Sequence, residues 1–200
     1  MEERKRTASV SRETQETRVE IELDLDGTGI SEVNTGIGML DHLLAQLSEH
    51  GRFDLKLKAK GDLEVDEHHL VEDVALSLGQ AFKQALGERR GIVRIGHSIV
   101  PMDEALALVA VDLSGRGYAG FEASFSRERI GKLPTDMISH FFRSFAIEGR
   151  INLSVKLLAG ANDHHKAEAL FKALGRALDE ATRIDERIKD KIPSTKGVID

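Results

Sequence analysis

Residues 68–85 read HHLVEDVALSLGQAFKQA, and 96 positions later residues 164–181 read HHKAEALFKALGRALDEA. Both copies carry the pattern H-H-x-x-E-x5-L-G-x-A-x3-A. His68, His69, Glu72, Leu78, Gly79, Ala81 and Ala85 thus recur as His164, His165, Glu168, Leu174, Gly175, Ala177 and Ala181. Seven identities in eighteen positions, both histidines and the glutamate among them, point to an internal duplication. Apolar residues keep helical spacing in each copy: Val71, Val74, Ala75, Leu78 and Phe82 in the first, and Ala167, Leu170, Phe171, Leu174, Ala177, Leu178 and Ala181 in the second. The repeated unit is therefore a helix with one buried stripe and a His-His pair near its start.

The flanking segments recur as well. Val19, Ile21, Leu23 and Leu25 alternate with polar residues, which predicts a half-buried strand ending at the turn Asp26-Gly27-Thr28-Gly29. Leu40, Leu43, Leu44 and Leu47 mark a helix closed by Gly51, and Phe53, Leu55 and Leu57 mark a strand that leads into the first repeat helix. Strands are expected over 92–100 and 104–113, joined by Pro101-Met102-Asp103, and over 118–125. Ile138, Phe141, Phe142 and Phe145 mark another helix, and Ile151, Leu153, Val155 and Leu157 another strand. Each His-His helix is preceded by a helix carrying a further histidine: His42 lies 26 residues before His68, and His140 lies 24 before His164. Strands, helix, strand, helix, twice over, predict an α+β protein built from two similar halves. The expected halves are residues 1–90 and 91–200, the second ending in a C-terminal tail, within one compact domain.

The repeated polar residues suit metal chemistry. On a helix, residues i and i+4 stand one above the other, while neighbours diverge by about 100°. His68 with Glu72, and His164 with Glu168, are therefore ready chelates, whereas His69 and His165 aim elsewhere, each at a second ion. With His42 and His140 the set is six histidines and two glutamates, or four ligands for each of two ions. Pseudo-symmetry groups His68, Glu72, His140 and His165 around one, and His42, His69, His164 and Glu168 around the other. Such ligands suit Zn, Mn, Fe, Co or Ni. A tetrahedral Zn site of this kind is closed, whereas octahedral Mn(II) keeps two positions open, and the residues alone do not choose. His97 reads as an ordinary hydrogen-bonded histidine.

Composition narrows the alternatives. The absence of cysteine removes disulfide scaffolds, thiolate zinc sites, iron–sulfur clusters and cysteine nucleophiles. A net charge of −6 argues against a nucleic-acid or anionic-membrane partner, and no tryptophan and one tyrosine argue against a base-stacking surface. The polar stretch MEERKRTASVSRETQET, residues 1–17, has no apolar core like that of a secretory signal, and no membrane span is evident, so a cytoplasmic location is expected. The segment Ile192-Pro193-Ser194-Thr195-Lys196-Gly197 offers hydroxyls and a cation suited to an oxyanion, and Arg94, Arg116 and Lys172 are further anion-binding candidates. Lys172 projects from the metal side of its helix, where the first copy has Leu76. A lyase, a metal-stapled shell protein and a binuclear hydrolase all remain compatible with these features.

Taken together, the motifs resemble imidazoleglycerol-phosphate dehydratase, the lyase family of histidine biosynthesis. The resemblance runs from Arg12-Glu-Thr-Gln-Glu-Thr17 through Asp26-Gly-Thr-Gly29, Leu40-Asp-His42 with Gln46 and His50-Gly51, and His68-His69 with Glu72-Asp73. It continues through Pro101-Met-Asp-Glu-Ala105, Ser114-Gly-Arg116, His140-Phe-Phe142, Asn162 with His164-His165, Glu168-Ala169, Phe171-Lys-Ala173 and Pro193-Ser-Thr-Lys-Gly197. Departures are mild: Leu70 stands where Thr is common, and Ile95 where Phe is common. The resemblance is to the monofunctional form, in which no fused phosphatase domain is expected. The resemblance implies halves like the second domain of ribosomal protein S5, with helices sandwiched between two four-stranded sheets. It implies two Mn2+ per active site, a homo-oligomeric 24-mer with active sites between subunits, and the ligand grouping above. It also implies dehydration of D-erythro-imidazoleglycerol phosphate to imidazole-acetol phosphate, through metal-bound imidazolate and a diazafulvene-like intermediate. Glu16 matches the family's proton-transfer residue, with Glu72 and Glu168 as possible relays. Arg94, Arg116, Lys172, Ser194, Thr195 and Lys196 match phosphate-side positions, and Gln46 and His50 match substrate-shell positions.

Overall fold

The computed structural model describes residues 5–199; residues 1–4 and 200, the outermost positions of the two expected halves, lie outside the described residues. In chain order the first half forms β1 (Thr7–Glu13), β2 (Thr17–Asp24), β3 (Ser31–Asn34), α1 (Gly38–Gly51), β4 (Asp54–Gly61) and α2 (His68–Leu86). The second forms β5 (Ile95–Met102), β6 (Ala105–Asp112), β7 (Tyr118–Glu122), the short hairpin β8 (Arg129–Ile130) and β9 (Leu133–Pro134), α3 (Asp136–Gly149), β10 (Asn152–Ala159) and α4 (Asp163–Thr182). The two four-stranded sheets repeat one topology, β1-β2-β4-β3 and β5-β6-β10-β7. In each, the last strand in the order pairs parallel with its neighbour and the other pairs are antiparallel. This is the duplicated α+β fold, with β8 and β9 inserted between β7 and α3.

The alternation read in β2 is a real face. Thr17, Val19, Ile21 and Leu23 are buried, while Glu20 and Glu22 point outward opposite Lys58 and Lys56 of β4. The helices fill the space between the sheets and cross between halves, α2 packing on α3 and α4 on α1. Six phenylalanines, Phe53, Phe82, Phe141, Phe142, Phe145 and Phe171, are fully buried there. The repeated glycines make these crossings possible. A Cβ at Gly79 would lie 2.7 Å from the Phe145 carbonyl oxygen and 2.8 Å from the Gly149 nitrogen; one at Gly175 would lie 2.6 Å from the Leu47 oxygen and 2.9 Å from the Gly51 nitrogen. Only glycine lets the backbones approach so closely.

Several boundaries differ from the sequence pattern. Strand β1 has one buried residue, Val10, so its polar composition hides an edge strand. Residues 92–94 are not part of β5, because Arg94 turns into the left-handed region (φ 76°) and Ile92 makes an isolated bridge with Ile184. Strand β7 ends at Glu122 rather than at 125. Gly51 closes α1 by packing rather than by its torsion: it is the last helical residue, and Arg52 takes the left-handed cap (φ 57°). His97 sits exposed on β5, its ring Nδ1 3.6 Å from a Glu180 carboxylate oxygen.

Candidate metal centres and active-site residues

Both His-His helices begin with their first histidine amide held by a side chain. Asp66 Oδ1 accepts from the His68 N–H at 2.8 Å, and Asn162 Oδ1 from the His164 N–H at 2.9 Å. One turn later the i, i+4 geometry closes. His164 Nε2 lies 2.9 Å from Glu168 Oε1, and α1, crossing α4, brings His42 Nε2 to 2.7 Å from the same oxygen. At the other crossing, α3 brings His140 beside His68, with ring centroids 4.5 Å apart and His140 Nε2 3.2 Å from Glu72 Oε1. Each trio, His42-His164-Glu168 and His68-Glu72-His140, offers ligand atoms within 4.8 Å of one another. Each draws on both halves of the chain, through His42 on α1 and His140 on α3.

These donors fit a cation. His140 Nε2 is buried and makes no hydrogen bond, although a carboxylate stands beside it. A buried acceptor of this kind matches metal-ligand chemistry better than a packing role. Burial opposes ionisation of Glu168, but hydrogen bonds from Lys172, His42 and His164 outweigh it and hold the carboxyl at about 2. It is thus an anion ready to coordinate. Lys172 Nζ lies 2.7 Å from Glu168 Oε2, on the metal side of α4 as its spacing requires. Burial, and then the Lys172 charge, push His50 below its ordinary value, and Gln46 lies half-buried on the same helix.

The second histidine of each pair turns away. Ring planes within the pairs stand at 79° and 88°, with centroids 6.2 Å apart. His69 Nδ1 meets Asp62 Oδ2 at 3.1 Å and Glu16 Oε2 at 3.7 Å; His165 Nδ1 meets Glu104 Oε2 at 2.7 Å. Three of each expected set of four ligands therefore converge within one chain, and the fourth, His165 or His69, does not. The Asp62 and Glu104 hydrogen bonds raise the two imidazoles above their ordinary value.

The candidate anion-binding residues divide between two poles. Lys172 stands with the metal trio. Arg94 makes two hydrogen bonds to Asp112, at 2.7 and 3.1 Å, and donates to the Pro193 carbonyl at 2.7 Å, which fixes the segment carrying Ser194, Thr195 and Lys196. Arg116 is exposed on the loop after β6, at the same end of the sheet. His165 and Glu104 lie at the opposite end of β5, whose eight residues span about 24 Å at the usual strand rise.

Three residues not singled out by their spacing support this arrangement. Asp62 and Glu104 hold His69 and His165. Asp73, buried on α2, accepts from Arg12 Nε at 2.7 Å and from the Thr17 hydroxyl, which fastens the β1–β2 hairpin bearing Glu16 to the metal helix. Arg12, Thr14 and Thr17 of the Arg-x-Thr-x-Glu-Thr stretch thus serve its geometry, Thr14 Oγ1 accepting from the Glu16 and Thr17 amides at 3.1 and 2.9 Å.

A family model described as imidazoleglycerol-phosphate dehydratase matches residues 35–178. The chain is 62% identical over 194 residues to the imidazoleglycerol-phosphate dehydratase of Roseiflexus sp. (strain RS-1), covering 97% of this chain and 98% of that protein. It is 57% identical over 196 residues to the protein of the same name from Dehalococcoides mccartyi (strain CBDB1), covering 98% of each. Its structure is similar to the crystal structure of the Staphylococcus aureus N315 dehydratase, with a TM-score of 0.81, 36% identity, and coverage of 90% of this chain and 99% of that one. The Pyrococcus furiosus structure in complex with (S)-C348 also gives 0.81, at 34% identity, covering 94% and 99%.

Proposed function

The chain belongs to the imidazoleglycerol-phosphate dehydratase family, hydro-lyases of histidine biosynthesis, and on that premise we propose that it dehydrates D-erythro-imidazoleglycerol phosphate to imidazole-acetol phosphate. The observation that carries this reading is the pair of imidazole–carboxylate trios, one of which has Lys172 against its glutamate. Two Mn2+ ions would be held by His68, Glu72 and His140 and by His42, His164 and Glu168. His165 and His69 would complete the sets from neighbouring chains.

Bound there, divalent cations would supply Lewis acidity toward the imidazole ring, with open coordination positions for its nitrogens. The chain's own groups supply the rest. Net reaction removes the hydroxyl from the ring-attached carbon and a proton from the carbon next to it, and the resulting enol becomes the ketone. Glu16, half-exposed at a hairpin corner beside His69, would take or return a proton. Glu72 and Glu168 can relay protons next to the ring. Lys172, Arg94, Arg116, Ser194, Thr195 and Lys196 bind the phosphate, and Gln46 and His50 line the substrate cavity.

The separation of Lys172 from the Arg94–Lys196 pole supports active sites shared between subunits, as in a 24-mer. The tail of one chain would reach the metal pole of another. The two expected halves, 1–90 and 91–200, act as one unit in this scheme because each trio draws on both. Among the described residues, no helix is long and apolar enough to cross a membrane, and a cytoplasmic site of action fits a biosynthetic lyase. Elemental analysis of the purified protein alongside a dehydration assay tests the proposal. His68→Ala and His164→Ala should each lose metal and turnover together, and undiminished turnover in either variant would end it.

A further inference from the structure

The two His-His pairs share a feature that ligand spacing does not require. Each second histidine is gripped by a carboxylate at Nδ1: His165 by Glu104 at 2.7 Å and His69 by Asp62 at 3.1 Å. An imidazole that donates its Nδ1–H to a carboxylate carries its lone pair on Nε2, on the far side of the ring. Nε2 of His165 indeed faces outward, 3.6 Å from the exposed Asp103.

The two carboxylates come from different places in the repeat. A Cβ at Gly61 would touch Leu70 and Thr17, and one at Gly160 would touch Lys166 and Ala105. Leu70 and Lys166 match across the 96-residue repeat, so Thr17 matches Ala105, and the residues before them, Glu16 and Glu104, match each other. These corresponding glutamates have diverged. Glu104 is locked: Oε2 meets His165, while Oε1 accepts from the Ala161 and Asn162 amides at 3.2 and 2.7 Å. Glu16 stands off from His69 at 3.7 Å with its side chain 54% exposed, and Asp62 from the loop after β4 grips that ring instead.

We propose that Glu104 and Asp62 are positioning residues that fix His165 and His69 with Nε2 outward as metal ligands. Asp62, by taking this task in the first half, leaves Glu16 free to transfer protons. The inference rests on the metal-site reading above. Asp62 gives the cleaner test, because its carboxylate bonds only the His69 ring among the described residues, whereas Glu104 also holds the start of α4.

The experiment is titration of metal-stripped, full-length protein with Mn2+, followed by calorimetry and by the electron paramagnetic resonance of free Mn2+. Wild type, Asp62→Ala, Asp62→Asn and Glu104→Ala are compared, with the melting temperature of each stripped protein measured as a folding control. Asp62→Ala should weaken binding at one class of site by about 10- to 100-fold while melting like wild type. Asp62→Asn should restore most of the affinity, since an amide oxygen still accepts from Nδ1–H. Glu104→Ala should weaken binding as well. Wild-type affinity and stoichiometry in Asp62→Ala would overturn the proposal, as would Asp62→Asn binding no better than Asp62→Ala. If wild type itself takes up no Mn2+, the metal reading fails, and the inference fails with it.

Discussion

Gly175→Ala is expected to destabilise the protein, although alanine is the better helix former. Gly175 lies within α4, where the exchange alone would stabilise by about 1 kcal/mol. The added methyl would sit 2.6 Å from the Leu47 carbonyl oxygen, against the 3.4 Å at which ordinary contact begins. The obstacle is backbone of α1, so no rotamer change relieves it, and α1 and α4 must move apart by up to about 0.8 Å at that level, given how stiffly packed interiors resist strain. Overpacking of this kind costs about 1–3 kcal/mol, and lost contact between the two helices adds to it. The net expectation is a loss of about 1–2 kcal/mol, several degrees of melting temperature for a domain of this size. Thermal unfolding of metal-stripped protein at fixed concentration measures it. Gly38→Ala serves as control, because a Cβ there meets nothing within 4 Å. A Gly175→Ala protein that melts above wild type would show that helix propensity decides and that the α1–α4 approach is not tight.

The β1–β2 hairpin should matter for turnover more than for metal binding. Asp73→Ala removes the acceptor for Arg12 and Thr17, so turnover should fall at least 10-fold with near-normal metal content, checked by parallel assay and elemental analysis. Asp54 is held below its ordinary value by the backbone amide of Thr28, helped by those of Ile30 and Gly29. Its folded value lies below its unfolded one, so its stabilisation is present above about pH 4 and is lost as pH falls through the folded value. The stability gap between wild type and Asp54→Asn, read by urea titration, should therefore be constant from pH 5 to 7 (roughly the range above that titration) and shrink in acid. Chelation should dissociate the proposed particle, since in that arrangement ligands from two chains would make metal binding stabilise the oligomer. Sedimentation of an unchanged particle after complete metal removal would contradict this.

Where one physical effect dominates, the sequence is a good guide. The helix His68–Leu86 has the bounds its apolar stripe and Gly87 indicate, because packing and termination act on the same residues. The i, i+4 His–Glu pairs lie side by side as read, since helix geometry alone sets them, and the divergence of His69 and His165 follows from the same geometry. Strand β1 escapes notice because a polar edge strand buries only Val10, and β3 because its four residues carry too little pattern. The crossing of α1 onto α4 and of α2 onto α3 is tertiary, and its trace in sequence is the repeated glycine, whose reason appears only with the neighbouring backbone in view. Asp62 lies seven residues before its histidine and Glu104 sixty-one before, separations that no local periodicity links. The tail residues read as anion binders are held far from the metal trios in the same chain, a division that depends on strand length and chain direction rather than on any motif.

In the proposed arrangement one chain's tail completes another chain's metal pole, and co-assembly of two defective variants tests this most directly. Lys172→Ala disables the metal pole and the double variant Ser194→Ala/Lys196→Ala disables the anion pole, and neither removes a candidate metal ligand. Each should be inactive alone. Dissociated, mixed in equal amounts and reassembled, they should recover about a quarter of wild-type dehydration, because each site then draws its two parts independently. Mixed particles, verified by mass, that stay as inactive as either parent would show that both parts come from a single chain and would contradict the account.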